Sequence, residues 1–292
     1  MRILITGASG TVGRAVLAET LKKKDSAVRA MYRSQEEAAK APADVSAAVA
    51  DFALKDSLKQ ALDGVEIVYL VCSPIPALVE LEGNVIDVCL EAGIKHVVLN
   101  SALGAGDYPK SFPSWHRRVE DKLKASGLGY TILRPNGFMQ NILAYNAPSI
   151  RAQGAFYAAM GNARTSYLDV RDIARVAAQA LAAPEDHAGQ TYELNGPEAV
   201  SCGELAERIS RVAQRPVNFV DIPEGAQRQS MLELGMPEWQ VNALLELQQY
   251  YTGGQGGAVT DVLPRLLGGP PVYLDQFLEE FKDQFRPQSA SA

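Results

Sequence analysis

Cysteine is scarce in this chain, and its spacing offers no pairing. Cys72, Cys89 and Cys202 are the only three, none within a Cys-x-x-Cys unit, and an odd count argues against a disulfide framework. No apolar run approaches the roughly 20 residues that a membrane helix needs. The best stretch, Val65 to Cys72, is strand-sized and contains Glu66. The first apolar run, Ile3 to Ile5, meets Thr6 and Gly7 at once, so no signal peptide is expected. Basic charge is in deficit: 28 Lys+Arg against 34 Asp+Glu leave a net charge of −6. That is the wrong sign for a broad phosphate-binding surface. His96 and His187 have no neighbour at metal-ligand spacing, so no metal is expected. A cytoplasmic protein is expected, with no nucleic acid and no membrane as partner; composition leaves open whether it is a monomer or homodimer.

The chain has what a packed core requires: 47% of its 292 residues are hydrophobic and 21% charged. The first half alternates strand-like and helix-like segments. Strands are expected at Ile3–Thr6, Val28–Tyr32, Val45–Ala50, Glu66–Val71, His96–Ser101 and Tyr130–Leu133. Helices are expected at Val12–Lys23, Asp56–Leu62, Leu78–Ala92 and Trp115–Ser126. Such alternation implies parallel strands joined by right-handed helical crossovers. The fold class is therefore α/β, a doubly wound, mostly parallel Rossmann-type sheet with a smaller C-terminal α/β subdomain. The expected domains are 1–153 and 154–292, with the chain returning to the core around 165–196. There, strands Thr165–Leu168 and Thr191–Leu194 flank the Ala-rich helix Val170–Ala182. Ser201-x-x-Glu204 is a capping box that starts a further helix. Another helix begins at Pro237, and a terminal one spans Val272–Phe285. Lys22, Lys23 and Lys24 are expected as a solvated helix end, and the tail beyond Pro287 as frayed.

The sharpest motif is Gly7-Ala8-Ser9-Gly10-Thr11-Val12-Gly13, between the first strand and the first helix. Gly7 suits the tight turn, Gly10 lets a pyrophosphate approach the backbone, and Gly13 lets the helix pack closely. The amides of the helix's first turn attract the anion. The spacing is Gly-x-x-Gly-x-x-Gly rather than Gly-x-Gly-x-x-Gly, and a ligand-free tight loop is the plainer alternative. The strand–loop–helix–strand context favours dinucleotide binding. Twenty residues beyond Gly13 stands Arg33, with no acid beside it at the strand tip. An arginine there accommodates a 2′-phosphate, so NADP(H) is the expected cofactor, against the alternative of a solvated turn arginine. Asp51 and Phe52 offer the adenine a carboxylate and an apolar edge; Asp51 equally suits a helix cap.

These residues resemble the atypical short-chain dehydrogenase/reductases, and among them the NmrA-like group. The likeness runs from Arg2 to about Phe285 through Gly7–Gly13, Asp51-Phe52, Leu99-Asn100-Ser101, Tyr130–Pro135, Phe138–Asn141, Asp169–Ala174 and Tyr192–Pro197. The group spans quinone and triphenylmethane-dye reductases, enzymes of plant phenolics, and non-catalytic sensors of the cofactor's redox state. The resemblance places Cys72, Ser73, Ser101, His116 and Pro135 against the cofactor. Asn136 and Phe138 follow the sixth strand at the nicotinamide end, where Phe138 walls the acceptor site or belongs to the core.

One departure from the pattern bears on mechanism. Typical members carry Tyr-x-x-x-Lys on the helix after the fifth strand; Phe112 and His116 occupy those positions here. Phe112 has no proton to give. His116, with Glu120 four residues on, forms the His-x-x-x-Glu pattern of the quinone- and dye-reductase branch. His116 is thus the candidate catalytic residue, either as a proton donor or as a hydrogen-bonding anchor for the nicotinamide ribose; a purely structural role is the alternative. An unperturbed imidazole is about a quarter protonated at pH 7, and Glu120 is expected to raise that fraction. Ketone reduction builds an alkoxide and needs an acid, whereas a quinone is electrophilic enough for solvent to complete protonation. The expected function is an NADPH-dependent oxidoreductase acting on an electrophilic aromatic, with a non-catalytic redox sensor as the alternative.

Overall fold

The computed structural model describes residues 1–23 and 27–287. Lys24 and the tail past Pro287 lie outside the described residues. The chain begins β1 (Arg2–Ile5), α1 (Thr11–Leu21), β2 (Ala27–Tyr32), α2 (Gln35–Ala38), β3 (Ser46–Val49) and α3 (Lys55–Leu62). It continues β4 (Ile67–Leu70), α4 (Leu78–Glu91), β5 (His96–Asn100), α5 (Ser111–Ala125) and β6 (Gly129–Pro135). Then come α6 (Met139–Asn141), α7 (Ala147–Gln153), β7 (Ala155–Ala158), β8 (Arg164–Thr165), α8 (Val170–Ala182) and β9 (Gln190–Leu194). Last are β10 (Val200–Ser201), α9 (Cys202–Ala213), β11 (Asn218–Asp221), α10 (Glu224–Glu233), α11 (Glu238–Thr252), α12 (Val262–Leu267) and α13 (Leu274–Glu280).

Two compact units result: residues 1–135 with 170–194, and 136–169 with 195 onward. The first holds a seven-stranded sheet in the order β3-β2-β1-β4-β5-β6-β9, with every pairing parallel. β4 and β5 are buried along their whole length, which explains why they are written almost entirely in branched and aromatic residues. Leu4, Val68, Leu70, Val97, Leu99 and Ile132 face a core closed by Leu58, Leu62, Val85, Ile86 and Val119. The strand order reverses beside β1, so the glycine loop leaves the sheet where doubly wound folds open a crevice. α1 packs along α8, whose buried Ala174, Ala177, Ala178 and Ala180 allow close approach.

The second unit has its own core, built from Met139, Ile142, Ile150, Phe156, Leu205, Ile209, Phe277, Leu278 and Phe285. Residues 136–153, read from the sequence with the first unit, pack here because Met139, Ile142, Ala147 and Ile150 bury their side chains in this cluster. β7 pairs parallel with β11 and β8 antiparallel with β10. The capping box is present: Ser201 Oγ accepts from the Glu204 amide at 3.2 Å, and Glu204 accepts from the Ser201 amide at 2.9 Å. The strand expected at Thr165–Leu168 shrinks to Arg164–Thr165, with Leu168 bridging to Phe138. α5 begins four residues earlier than its apolar spacing suggested, since Pro113 in a first turn forfeits no helical hydrogen bond.

Candidate functional site

In a parallel sheet all strands end along one edge, and most of the expected cofactor residues lie on that edge of the first unit. Thr6 ties β1 to β4: its hydroxyl donates to the Tyr69 carbonyl at 3.0 Å and accepts from the Val71 amide at 3.0 Å. Gly7 then turns with φ of +59°, a left-handed conformation that costs glycine nothing. The Gly10 amide closes the turn on the Gly7 carbonyl at 2.9 Å. A Cβ on Gly13 would stand 2.1 Å from that same carbonyl, so Gly13 is demanded by packing. A Cβ on Gly10 would meet only the Gly7 carbonyl, at 3.3 Å, and otherwise face open space. Gly10 caps α1 without any side-chain hydrogen bond, and Ser9, Gly10 and Thr11 are exposed while Val12 is buried. This is a cradle of uncapped first-turn amides with an open glycine face, and it fits a dinucleotide pyrophosphate.

Along the same edge, Arg33 follows β2 and is exposed; Asp51 and Phe52 follow β3. Asp51 Oδ1 accepts from the Ala53 amide at 2.8 Å, within the turn that precedes α3, and does not cap that helix, whose N-cap position is Leu54. Phe52 is half-buried against the core. Cys72 and Ser73 follow β4, and burial pushes the Cys72 thiol up to about 12, so it stays protonated at neutral pH. Pro135 ends β6, its carbonyl accepting from the Leu103 amide at 3.0 Å.

Ser101, His116 and Glu120 are all buried, and their hydrogen bonding differs from the pairing expected from spacing. Glu120 accepts from Ser101 Oγ at 2.6 Å, from Arg134 Nε at 2.9 Å and from Arg134 Nη2 at 2.7 Å. Burial raises the Glu120 pKa, but the bonds from Arg134 and Ser101 outweigh it and hold the carboxylate below its usual range. His116 takes no share: its Nδ1 is buried without a partner among the described residues. Burial pushes its imidazole down to about 4, overriding the opposing pull of Glu120. The expectation that Glu120 would keep His116 partly protonated is corrected, because desolvation dominates and the carboxylate is spent on Arg134. Phe112 packs edge-on against Trp115 with ring centroids 5.3 Å apart.

Asn136 and Phe138 belong to the second unit. Asn136 is buried, and its amide nitrogen donates to Ser166 Oγ at 2.8 Å, Asn195 Oδ1 at 3.0 Å and the Gly256 carbonyl at 2.9 Å. Its oxygen accepts from the Gly137 amide at 2.7 Å, so the whole amide group is used in joining loops. Phe138 is half-buried at the start of α6. Among the described residues no cluster of His, Cys, Asp or Glu could hold a metal ion, and no helix is long and apolar enough to cross a membrane.

Sequence reading missed Glu82. It lies fully buried on α4, and neither oxygen is within hydrogen-bond geometry of a partner among the described residues. Burial pushes its carboxyl up to about 8, which the nearby Cys72 amide offsets only in part. Its signal was present: Leu78, Glu82, Ile86 and Cys89 form one helical stripe, and the acid is its only polar member.

A family model described as NAD(P)H-binding matches residues 7–184. An NAD(P)H azoreductase of Xenophilus azovorans is 35% identical over 270 residues, covering 92% of this chain and 93% of its own. A (4-alkanoyl-5-oxo-2,5-dihydrofuran-3-yl)methyl phosphate reductase of Streptomyces griseus is 31% identical, over 98% of this chain and 100% of its own. Among solved structures, an NADPH-dependent quinone oxidoreductase of Escherichia coli complexed with NADPH superposes with a TM-score of 0.88. Its identity is 27%, over 96% of this chain and 99% of that one. These matches agree with the fold class and with the resemblance read from the sequence.

Proposed function

This chain belongs to the NAD(P)H-binding family, and from that premise we propose that it is an NADPH-dependent oxidoreductase delivering hydride to an electrophilic aromatic acceptor such as a quinone. When bound, the nicotinamide supplies the hydride. The loop Gly7–Gly13 holds the pyrophosphate on the first-turn amides of α1. Asp51 and Phe52 border the adenine, Cys72 and Ser73 border the path beyond the pyrophosphate, and Ser101 and Pro135 close the sheet edge.

The observation that carries the reading is the absence of an acidic proton among the groups that normally provide one. Phe112 has replaced the phenol, and the Ser101 proton is committed to Glu120 at 2.6 Å. His116 is neutral at pH 7, with its imidazole near 4. A ketone would leave its developing alkoxide unmet here. A quinone or azo acceptor tolerates this, because the anion left after hydride addition is delocalised and takes its proton from water. His116 then serves as a neutral anchor for the nicotinamide ribose rather than as an acid. Phe138, half-buried at the start of α6, is the residue proposed to meet the acceptor. The three unpaired cysteines suit a reducing cytoplasm, and a monomer or homodimer working on a small molecule, without nucleic acid, completes the reading.

The same missing acid also suits a sensor that binds NADP(H) without turnover. Monitoring NADPH oxidation with a panel of small quinones and azo dyes separates the two. The enzyme reading requires acceptor-dependent turnover; tight NADPH binding with no turnover on any acceptor would establish the sensor.

A further inference from the structure

The strand order turns back between β1 and β4, and in a doubly wound sheet the crevice opens where it does so. The chain leaving β4 lies on that crevice. The Val71 amide donates to the Thr6 hydroxyl at 3.0 Å, one residue before the glycine loop. A Cβ on Gly7 would stand 2.9 Å from Val71 Cγ1. Residues 71–75 then run without helix or strand, half-buried at Cys72 and exposed at Ser73 and Pro74.

Glu82, on the second turn of α4, comes up against this segment from the interior. Its carboxyl lies near the Cys72 amide and acts by charge on the Cys72 thiol and the Tyr69 phenol. It is 0% exposed, and neither oxygen is within hydrogen-bond geometry of a partner among the described residues. Packing does not call for an acid here, since its neighbours along the helix face, Leu78 and Ile86, are buried and apolar.

The charges around it are otherwise settled. Tyr69 donates to Asn100 Oδ1 at 3.1 Å, and Arg33 acts on the Cys72 thiol from the end of β2. Asp87, further along α4, pairs with Lys55 of α3 at 3.0 Å and with Lys122 of α5 at 2.7 Å. Burial keeps the Tyr69 phenol and the Cys72 thiol protonated and the His116 imidazole neutral, while Arg134 keeps Glu120 ionised. Against that fixed background Glu82, with its carboxyl near 8, changes charge between about pH 6.5 and 9.

Oxidation adds one positive charge to a nicotinamide ring and leaves the phosphates of the dinucleotide unchanged. An ionised carboxylate behind the crevice therefore attracts NADP⁺ more than NADPH, whereas a neutral carboxyl favours neither. We propose that Glu82 makes retention of the oxidised cofactor depend on pH: protonated, it lets NADP⁺ leave after hydride transfer, and ionised, it holds NADP⁺ back. The carboxyl proton passes to solvent, and no electron moves. The inference rests on the cofactor reading, with the nicotinamide arm passing the end of β4.

The test is equilibrium binding of NADP⁺ and NADPH by titration calorimetry, to the parent, Glu82→Gln and Gly10→Val. In the parent, NADP⁺ should gain on NADPH by about threefold or more in relative Kd between about pH 6.5 and 9. In Glu82→Gln, which has the shape of the neutral acid, the ratio should stay within about 1.5-fold over the same range. A second measurement needs no variant: at about pH 8, titrations in buffers of different ionisation heat should show NADP⁺ binding releasing more protons than NADPH binding. A parent ratio independent of pH, a shift that survives in Glu82→Gln, or equal proton counts overturns the proposal while leaving the cofactor reading intact. If the parent binds neither form, or Gly10→Val binds both as the parent does, the cofactor placement fails and the proposal falls with it.

Discussion

Arg134 grips Glu120 with two parallel hydrogen bonds, Nε to Oε1 at 2.9 Å and Nη2 to Oε2 at 2.7 Å. The fork joins β6 to α5, and Glu120 also takes the Ser101 proton at 2.6 Å. Sequence spacing assigned this carboxylate to His116, one helical turn away. The guanidinium wins because it carries a permanent charge and matches the carboxylate's planar geometry, whereas a buried imidazole would first have to acquire a proton.

Arg134→Ala is expected to cost about 3–5 kcal/mol, the range for removing one partner of a buried pair, since Glu120 is only 1% exposed. Urea unfolding measures it. Replacing both residues, as Arg134→Met with Glu120→Leu, should recover most of the loss. A single variant within about 1 kcal/mol of the parent would show that the fork does not hold the two elements together.

The loop glycines should separate by function. Gly13→Ala drives a Cβ to 2.1 Å from the Gly7 carbonyl and should damage folding itself. Gly10→Val has only one contact, at 3.3 Å, inside the protein, so it should fold normally and bind no dinucleotide. Circular dichroism and calorimetry check the pair. Normal NADPH affinity in Gly10→Val would remove the loop from the cofactor site.

Much of this architecture is legible in the sequence because buried parallel strands are written as continuous apolar runs. β4 and β5 are legible in that way, α8 by its alanine-rich helical run, and the glycine loop follows from what a phosphate needs of a backbone. The second unit is harder to read. β7, β8 and β10 are two to four residues long, too short for period-two alternation to emerge. The Arg134–Glu120 fork joins two separate elements, and no local spacing announces it.

Glu82 should leave a mark on the pH dependence of stability. Its carboxyl rises from an ordinary 4.5 to about 8 in the fold. Between those values the folded state holds a proton that the unfolded state has released, so the contribution of Glu82 to stability is greatest below about pH 4.5 and declines as pH rises toward 8. The slope approaches 1.4 kcal/mol per pH unit, or about 3 kcal/mol by pH 7. Glu82→Gln carries no such proton, and its unfolding midpoint should fall less than the parent's between pH 5 and pH 8. Parallel pH profiles for the two proteins would mean that Glu82 is not held neutral.

The account turns on a neutral His116 that anchors and does not protonate. The direct measurement is single-turnover hydride transfer from saturating NADPH to a small quinone, across about pH 5.5 to 9, for the parent and His116→Ala. The account predicts a parent rate almost flat over that range, above an imidazole near 4. In the variant it predicts weakened NADPH binding with a saturated rate reduced less than tenfold. A parent rate that falls as pH rises, with a variant slower by the ~10²–10⁴-fold of a lost general acid, would contradict it.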